Sequence, residues 1–290
     1  MTVDLAVPLF GTTFQNPILL AAGTAGFGRE VAGVIAIERL GALVTKAVSL
    51  EPRRGNPAPR VAETRGAMLN SIGLANPGLD VVRAEYLPWL REHLGPARLL
   101  VNVVGHTVDD FVAVVRALAG EPGITAFELN VSCPNVGRGG LEFGADDAVL
   151  ADLVRRAREV TDRPLVVKLS PALPDPARTA VAAAAAGADA FTAVNTLPAL
   201  LYDADDGAPR LGNGTGGLSG PPLLPVGVRV TRVVARETGR PVIGAGGVRS
   251  GRDALQYLAA GASLVAVGTA ALADPRAPER VVRELAALTA

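Results

Sequence analysis

Eight short apolar, β-branched runs recur along the 290-residue chain, and the intervals between them carry helical periodicity. They are Ile18 to Ala22, Ala42 to Lys46, Arg98 to Asn102, Ala126 to Asn130, Pro164 to Lys168, Ala190 to Asn195, Pro241 to Gly247 and Leu264 to Gly268. Runs that stay apolar without alternating are strands covered on both faces, as parallel sheets require. Between them lie amphipathic stretches such as Val108 to Leu118, Asp146 to Val160, Leu223 to Glu237 and Asp253 to Ala260, the helices of repeated βα units. The pattern predicts an α/β fold: a single eight-stranded parallel βα (TIM) barrel spanning 1–290, with chemistry gathered at the C-terminal strand ends. A doubly wound open sheet is the competing architecture. It fits less well, because no G-x-G-x-x-G opens a helix after an early strand.

Composition narrows the function. With 28 basic and 28 acidic residues the formal charge is zero, so the chain lacks the basic excess that nucleic acid or anionic membranes select. The single thiol, Cys133, forms no internal disulfide and cannot supply four ligands to an iron-sulfur cluster or a structural zinc. The two histidines, His93 and His106, lie far apart in sequence, and no metal site is expected. The opening stretch has no basic region and meets Asp4 and Pro8 early, unlike a signal peptide, and the small-apolar run Ala180 to Ala186 is too short to span a bilayer. A cytoplasmic protein with no membrane attachment is expected.

Of the 28 basic residues only Lys46 and Lys168 are lysines, and each closes a predicted strand. A compact, mobile ammonium at a barrel mouth is a site candidate, although chance codon usage explains a lysine count equally well without the positions. Strand-end Asn102, Asn130 and Asn195 offer carboxamides that complement the alternating C=O and N–H edge of a cyclic amide. Asn56, Asn76 and Asn213, beside Pro or Gly, are turn residues. The glycines of Gly244-Ala-Gly-Gly-Val248 and Val267-Gly-Thr269 follow the last two strands, where such barrels cradle phosphates. Together with Lys168, whose charge could offset an anionic reduced ring, they suggest flavin mononucleotide (FMN). Cys133 stands just beyond a strand end in Asn130-Val-Ser-Cys-Pro-Asn135, where a modest shift from the usual thiol value near 8.5 would make it a base. A buried, inert cysteine is the alternative. Segments Ala47 to Tyr86 and Thr196 to Pro222 exceed plain connections and are read as binding loops or lids.

Three motifs carry a family resemblance: Leu43-Val-Thr-Lys-Ala-Val-Ser-Leu-Glu-Pro-Arg-Arg-Gly-Asn-Pro57, Leu69-Asn-Ser-Ile-Gly-Leu-Ala-Asn-Pro-Gly78 and Glu128-Leu-Asn-Val-Ser-Cys-Pro-Asn-Val136. With them the chain resembles class 1 dihydroorotate dehydrogenases over essentially its whole length. Asn195-Thr196 and Gly216-Gly-Leu-Ser-Gly220 make it similar to the subclass 1B catalytic subunit. The resemblance implies oxidation of (S)-dihydroorotate to orotate in pyrimidine biosynthesis, with Cys133 taking the C5 proton while C6 delivers hydride to FMN. It implies that Lys46, Asn70, Asn130, Asn195 and Thr196, with Ser71, Ile72, Gly73 and Leu74, hold the substrate. It implies an FMN site of Ala22, Lys46, Ala47, Asn102, Asn130, Lys168, Val194, Gly220, Gly246, Gly247, Gly268 and Thr269. The stretch Val103-Val-Gly-His106 departs from the small polar residues usual there and leaves a role for His106 open.

Subclass 1B enzymes pass electrons to NAD through a partner subunit carrying FAD and an iron-sulfur cluster. The resemblance therefore implies a homodimer core with electron-transfer subunits, a heterotetramer. The cysteine count separately sends any such cluster to another chain. The competing readings are a subclass 1A-like enzyme reoxidised by fumarate, a Schiff-base barrel aldolase using Lys46 or Lys168, and a barrel kept only as a binding subunit.

Overall fold

The structure, a computed structural model, describes residues 4–132 and 143–290. Its strands are β1 (Val7–Leu9), β2 (Thr12–Phe14), β3 (Ile18–Leu20), β4 (Ala42–Val44), β5 (Val61–Thr64), β6 (Ala67–Asn70), β7 (Arg98–Val103), β8 (Ile124–Asn130), β9 (Leu165–Leu169), β10 (Ala190–Ala193), β11 (Leu197–Ala199), β12 (Gly216–Ser219), β13 (Val242–Ala245) and β14 (Leu264–Val267). Eight of them close a parallel barrel in the order β10-β13-β14-β3-β4-β7-β8-β9, and each lies within one of the eight predicted runs or overlaps it. The α/β barrel expected from the periodicity is therefore the fold.

Strand alternation determines what enters the barrel. One side-chain parity, which includes Leu19, Ala42, Val44, Leu100, Ala126, Val166, Ala190, Ile243, Leu264 and Ala266, packs into a single interior cluster. The other parity, including Leu20, Leu43, Val101, Phe127, Val167 and Val265, packs outward against the helices. Two-residue steps toward the C-terminal ends carry the inward parity from Val44 to Lys46, from Leu100 to Asn102, from Ala126 through Glu128 to Asn130, and from Val166 to Lys168. The same step takes Ala190 to Thr192. The polar groups of the mouth thus continue the positions that lower down fill the barrel with aliphatic side chains.

The surrounding helices include Val108–Leu118, Asp147–Arg158, Pro176–Ala185, Leu224–Thr238, Gly251–Ala259 and Ala277–Thr289. Four of these six begin at side-chain caps, and Leu224–Thr238 and Ala277–Thr289 have proline in the first turn instead. Thr107 and Ser250 form capping boxes with Asp110 and Asp253, and Asp146 accepts from the Ala148 and Val149 N–H groups. Among the described residues, no helix is long and apolar enough to cross a membrane.

Two additions were not predicted. The antiparallel hairpin β1-β2 turns at Phe10 and Gly11, both at positive φ, and drives Phe14, which is fully buried, into the interior cluster. Arg98, at the start of β7, donates its Nε to the Thr13 carbonyl at 2.9 Å, which fixes the hairpin across the N-terminal end of the barrel. The second addition is a four-stranded antiparallel sheet, in the order β11-β12-β6-β5, within the two segments read as loops. Its strands are three or four residues long, and β12 begins with two glycines, so no apolar run marked them. Asn76, placed among the turn residues, pins the same region: it donates to Ser49 Oγ and the Leu74 carbonyl, both at 2.8 Å, and accepts from the Gly78 N–H at 2.9 Å.

Candidate active site

A cavity of about 1310 Å³, counted out to its opening, occupies the C-terminal mouth of the barrel. Lys46, Asn102, Asn130 and Lys168 line it as the inward-pointing ends of β4, β7, β8 and β9 or the residues just beyond. Ala22, Ala47, Val194, Gly220, Gly246, Gly247, Gly268 and Thr269 line it as well, as do Asn70, Ile72, Leu74, Asn195 and Thr196. The structure therefore brings together every residue expected at the FMN site and most of those expected at the substrate. Ser71 and Gly73 are not among the lining residues. Ser71 donates its N–H to the Arg60 carbonyl at 2.8 Å, and its hydroxyl accepts from Asn56 Nδ2 at 2.8 Å. Gly73 stands against Asn56, where an added Cβ would come within 2.5 Å of its backbone nitrogen. Cys133, the expected base, lies outside the described residues. His106 is exposed and does not line the cavity; its backbone N–H donates to Asp110 Oδ2 at 2.8 Å.

The carboxamides are arranged in a directed chain. Asn195 Nδ2 donates to Asn130 Oδ1 at 3.0 Å, and Asn195 Oδ1 accepts from the Thr196 N–H at 2.8 Å. With its oxygen engaged, Asn130 keeps its amide protons for the cavity. Asn70 Nδ2 donates to the Gly217 carbonyl at 3.3 Å, tying β6 to β12 and leaving the Asn70 oxygen as an acceptor. The mouth thus presents both donors and acceptors at its sides.

Beneath them lies a buried network that the sequence reading missed. Glu128 is 1% exposed, and both its oxygens are engaged: Oε1 accepts from Asn102 Nδ2 at 2.7 Å and Oε2 from Thr192 Oγ1 at 2.6 Å. Lys168 Nζ lies 3.7 Å from Oε1, forming an ion pair whose members are almost wholly buried. The available signal was compositional. Glu128 is the sole acid within the eight strand runs, two residues before Asn130 on the same face. Asn102 Oδ1 is buried and has no hydrogen-bond partner. Such an atom is costly unless a ligand or water satisfies it.

The far wall is made of backbone. Gly246 and Gly247, just past β13, both have positive φ, and a Cβ on Gly247 would stand 2.7 Å from the Leu224 nitrogen. Only glycine brings the chain this close, and a turn of this kind is suited to binding an anion through its N–H groups. Behind this turn Tyr257 is buried, and burial raises its hydroxyl above the usual tyrosine value, so it remains a proton donor. Further lining residues that no motif marked are Thr24, Met68, Leu223 and Leu272. Among the described residues, no three His, Cys, Asp or Glu are grouped to hold a metal ion.

A closed βα barrel with two lysines, a set of amides and a glycine turn gathered around one mouth defines an enzyme of the βα-barrel class. Comparison with known proteins is more specific. The family model described as dihydroorotate dehydrogenase matches residues 4–289. A protein of Anoxybacillus flavithermus is 47% identical over 284 residues, covering 98% of this chain and 90% of its own. One of Cutibacterium acnes is 47% identical over 281 residues, covering 97% and 92%, and one of Geobacillus kaustophilus is 47% identical over 284 residues, covering 98% and 90%. All three are named dihydroorotate dehydrogenase B (NAD(+)), catalytic subunit. The chain belongs to the dihydroorotate dehydrogenase family.

Proposed function

We propose that this chain is the catalytic subunit of a cytoplasmic, NAD-linked dihydroorotate dehydrogenase, which oxidises (S)-dihydroorotate to orotate in pyrimidine biosynthesis. The observation that carries the reading is the convergence of Lys46, Asn70, Asn130, Asn195 and Thr196 on one cavity in a chain of this family. Among the described residues Lys46 has no carboxylate partner, so its ammonium is free to meet the carboxylate of an acidic substrate. The amides of Asn70, Asn130 and Asn195 supply the mixed donors and acceptors that a pyrimidine edge needs.

The residues present fit FMN. An unpartnered buried acceptor at Asn102 suits a ring N–H, the Gly246-Gly247 turn suits a phosphate, and Lys168 is a buried cation at the cavity wall. FMN, when bound, supplies the acceptor for the hydride from substrate C6. The chain's own task is to remove the C5 proton, and we assign that to the Cys133 thiolate. Reoxidation belongs to a partner subunit carrying FAD and an iron-sulfur cluster, in an assembly with a homodimeric core. This chain's one cysteine cannot supply the four thiolates of such a cluster.

The test is anaerobic. Purified protein loaded with FMN is mixed with dihydroorotate, and bleaching of the visible flavin bands is expected, without NAD reduction until the partner subunit is added. A flavin that stays oxidised in excess dihydroorotate would refute the assignment.

A further inference from the structure

Glu128 touches neither the cavity nor any group assigned to proton or hydride movement, yet it determines how Asn102 faces the cavity. A carboxylate offers only acceptors, so Asn102 must turn its Nδ2 toward Oε1, the contact made at 2.7 Å. The amide is planar, which leaves Asn102 Oδ1 on the opposite side, buried and without a partner, on a residue that lines the cavity. Thr192 Oγ1 at 2.6 Å and Lys168 Nζ at 3.7 Å hold the carboxylate from its other sides. Asn102 and Glu128 are paired positions on β7 and β8, and Thr192 and Lys168 are paired positions on β10 and β9, so four adjacent barrel strands fix the arrangement.

We infer that Glu128 is a positioning residue: it locks the Asn102 amide with its oxygen toward the cavity and so makes the site select a ligand that presents a ring imide N–H there. This deepens the proposed function and rests on it. Both the isoalloxazine of FMN and the pyrimidine of orotate carry such an N–H. The chemistry is shared, and the experiment separates the two sources.

The test exchanges donor and acceptor across the pair. In Glu128→Gln, Thr192 keeps its acceptor oxygen, so the new Nε2 donates to Asn102 Oδ1. This turns the amide round and sets an N–H against the ligand's N–H. Asn102→Asp alone sets two carboxylates together. The double variant Glu128→Gln with Asn102→Asp restores an oxygen to the cavity with the donor on residue 128, at unchanged total charge. Dissociation constants are measured for FMN on apoprotein by quenching of flavin fluorescence, and for orotate by calorimetry; neither requires turnover.

Each single variant is expected to weaken one ligand about tenfold, and the double variant to return it to within about twofold of wild type. Loss and rescue with FMN identify the isoalloxazine as the source, and with orotate the pyrimidine; either result supports the inference. Losses that simply add in the double variant, or no loss in the singles, overturn it. Wild-type protein that takes up neither ligand sinks both this inference and the proposed function. Protein that binds FMN but is not bleached by dihydroorotate sinks the function alone.

Discussion

The Tyr257 hydroxyl donates to the Gly246 carbonyl at 2.7 Å, joining helix Gly251–Ala259 to the glycine turn at the cavity wall. The ring also fills the space beside Gly244, where a Cβ would stand 2.2 Å from Tyr257 Cδ1. Tyr257→Phe retains that packing and removes only the bond. We expect a loss of about 1 kcal/mol in stability and a severalfold weaker hold on FMN, read by thermal melts and flavin release. Because burial, aided by the nearby Asp253 charge, raises this hydroxyl in the folded state, the folded protein keeps its proton where the unfolded chain loses it. Stability should therefore fall as pH rises through about 10, the usual tyrosine value, and fall less steeply in Tyr257→Phe. Parallel alkaline curves for the two proteins would exclude this contribution.

Removing one member of a buried ion pair leaves the other charged and uncompensated. Lys168→Ala strands Glu128 at 1% exposure, so the apoprotein should lose about 3–5 kcal/mol along with its retention of FMN. Lys168→Met with Glu128→Gln should regain most of the stability but not the FMN. Urea unfolding of the apoproteins separates the two effects.

Gly217 lies opposite Asn70 on β12, and a Cβ there would come within 2.0 Å of Thr196 Oγ1 and 2.6 Å of its Cβ. Gly217→Ala must displace Thr196, at a packing cost of about 1–3 kcal/mol. The expected signature is a raised KM for dihydroorotate with FMN affinity nearly unchanged, measured by steady-state kinetics and flavin titration.

For Cys133 the expected outcome is chemical. Cys133→Ala should retain FMN and slow its reduction by dihydroorotate by about a hundredfold or more, followed by stopped-flow absorbance. A reduction rate equal to wild type would remove the thiol from the reaction.

The barrel was legible because its strands are covered on both faces and read as unbroken apolar runs, ending in Lys46, Asn102, Asn130 and Lys168 where the sheet meets the mouth. The mouth sheet was not legible: β11 and β12 draw on Leu-Pro-Ala and Gly-Gly-Leu-Ser, too short and too small to show a period. Glu128 was hidden for a different reason. Its strand had been recognised, but a charge inside a strand takes its meaning from Asn102, Thr192 and Lys168, which come from three other strands and meet only after closure. Ser71 and Gly73 were named by their motif, within the stretch whose Ile72 and Leu74 line the cavity. Their contacts with the Arg60 and Asn56 loop, which no spacing in the motif announced, hold that stretch beside the cavity.

The hairpin β1-β2, with Phe14 wedged among the interior aliphatics and Arg98 holding Thr13, stops up the lower end of the barrel. Below the mouth the barrel is packed solid with aliphatic side chains, so among the described residues the cavity opens only on the C-terminal side. Whatever is oxidised inside must depart the way it came, so product still lodged in the cavity stands in the path of the next molecule. Orotate is therefore expected to inhibit competitively against dihydroorotate, which steady-state rates at several fixed orotate concentrations would check.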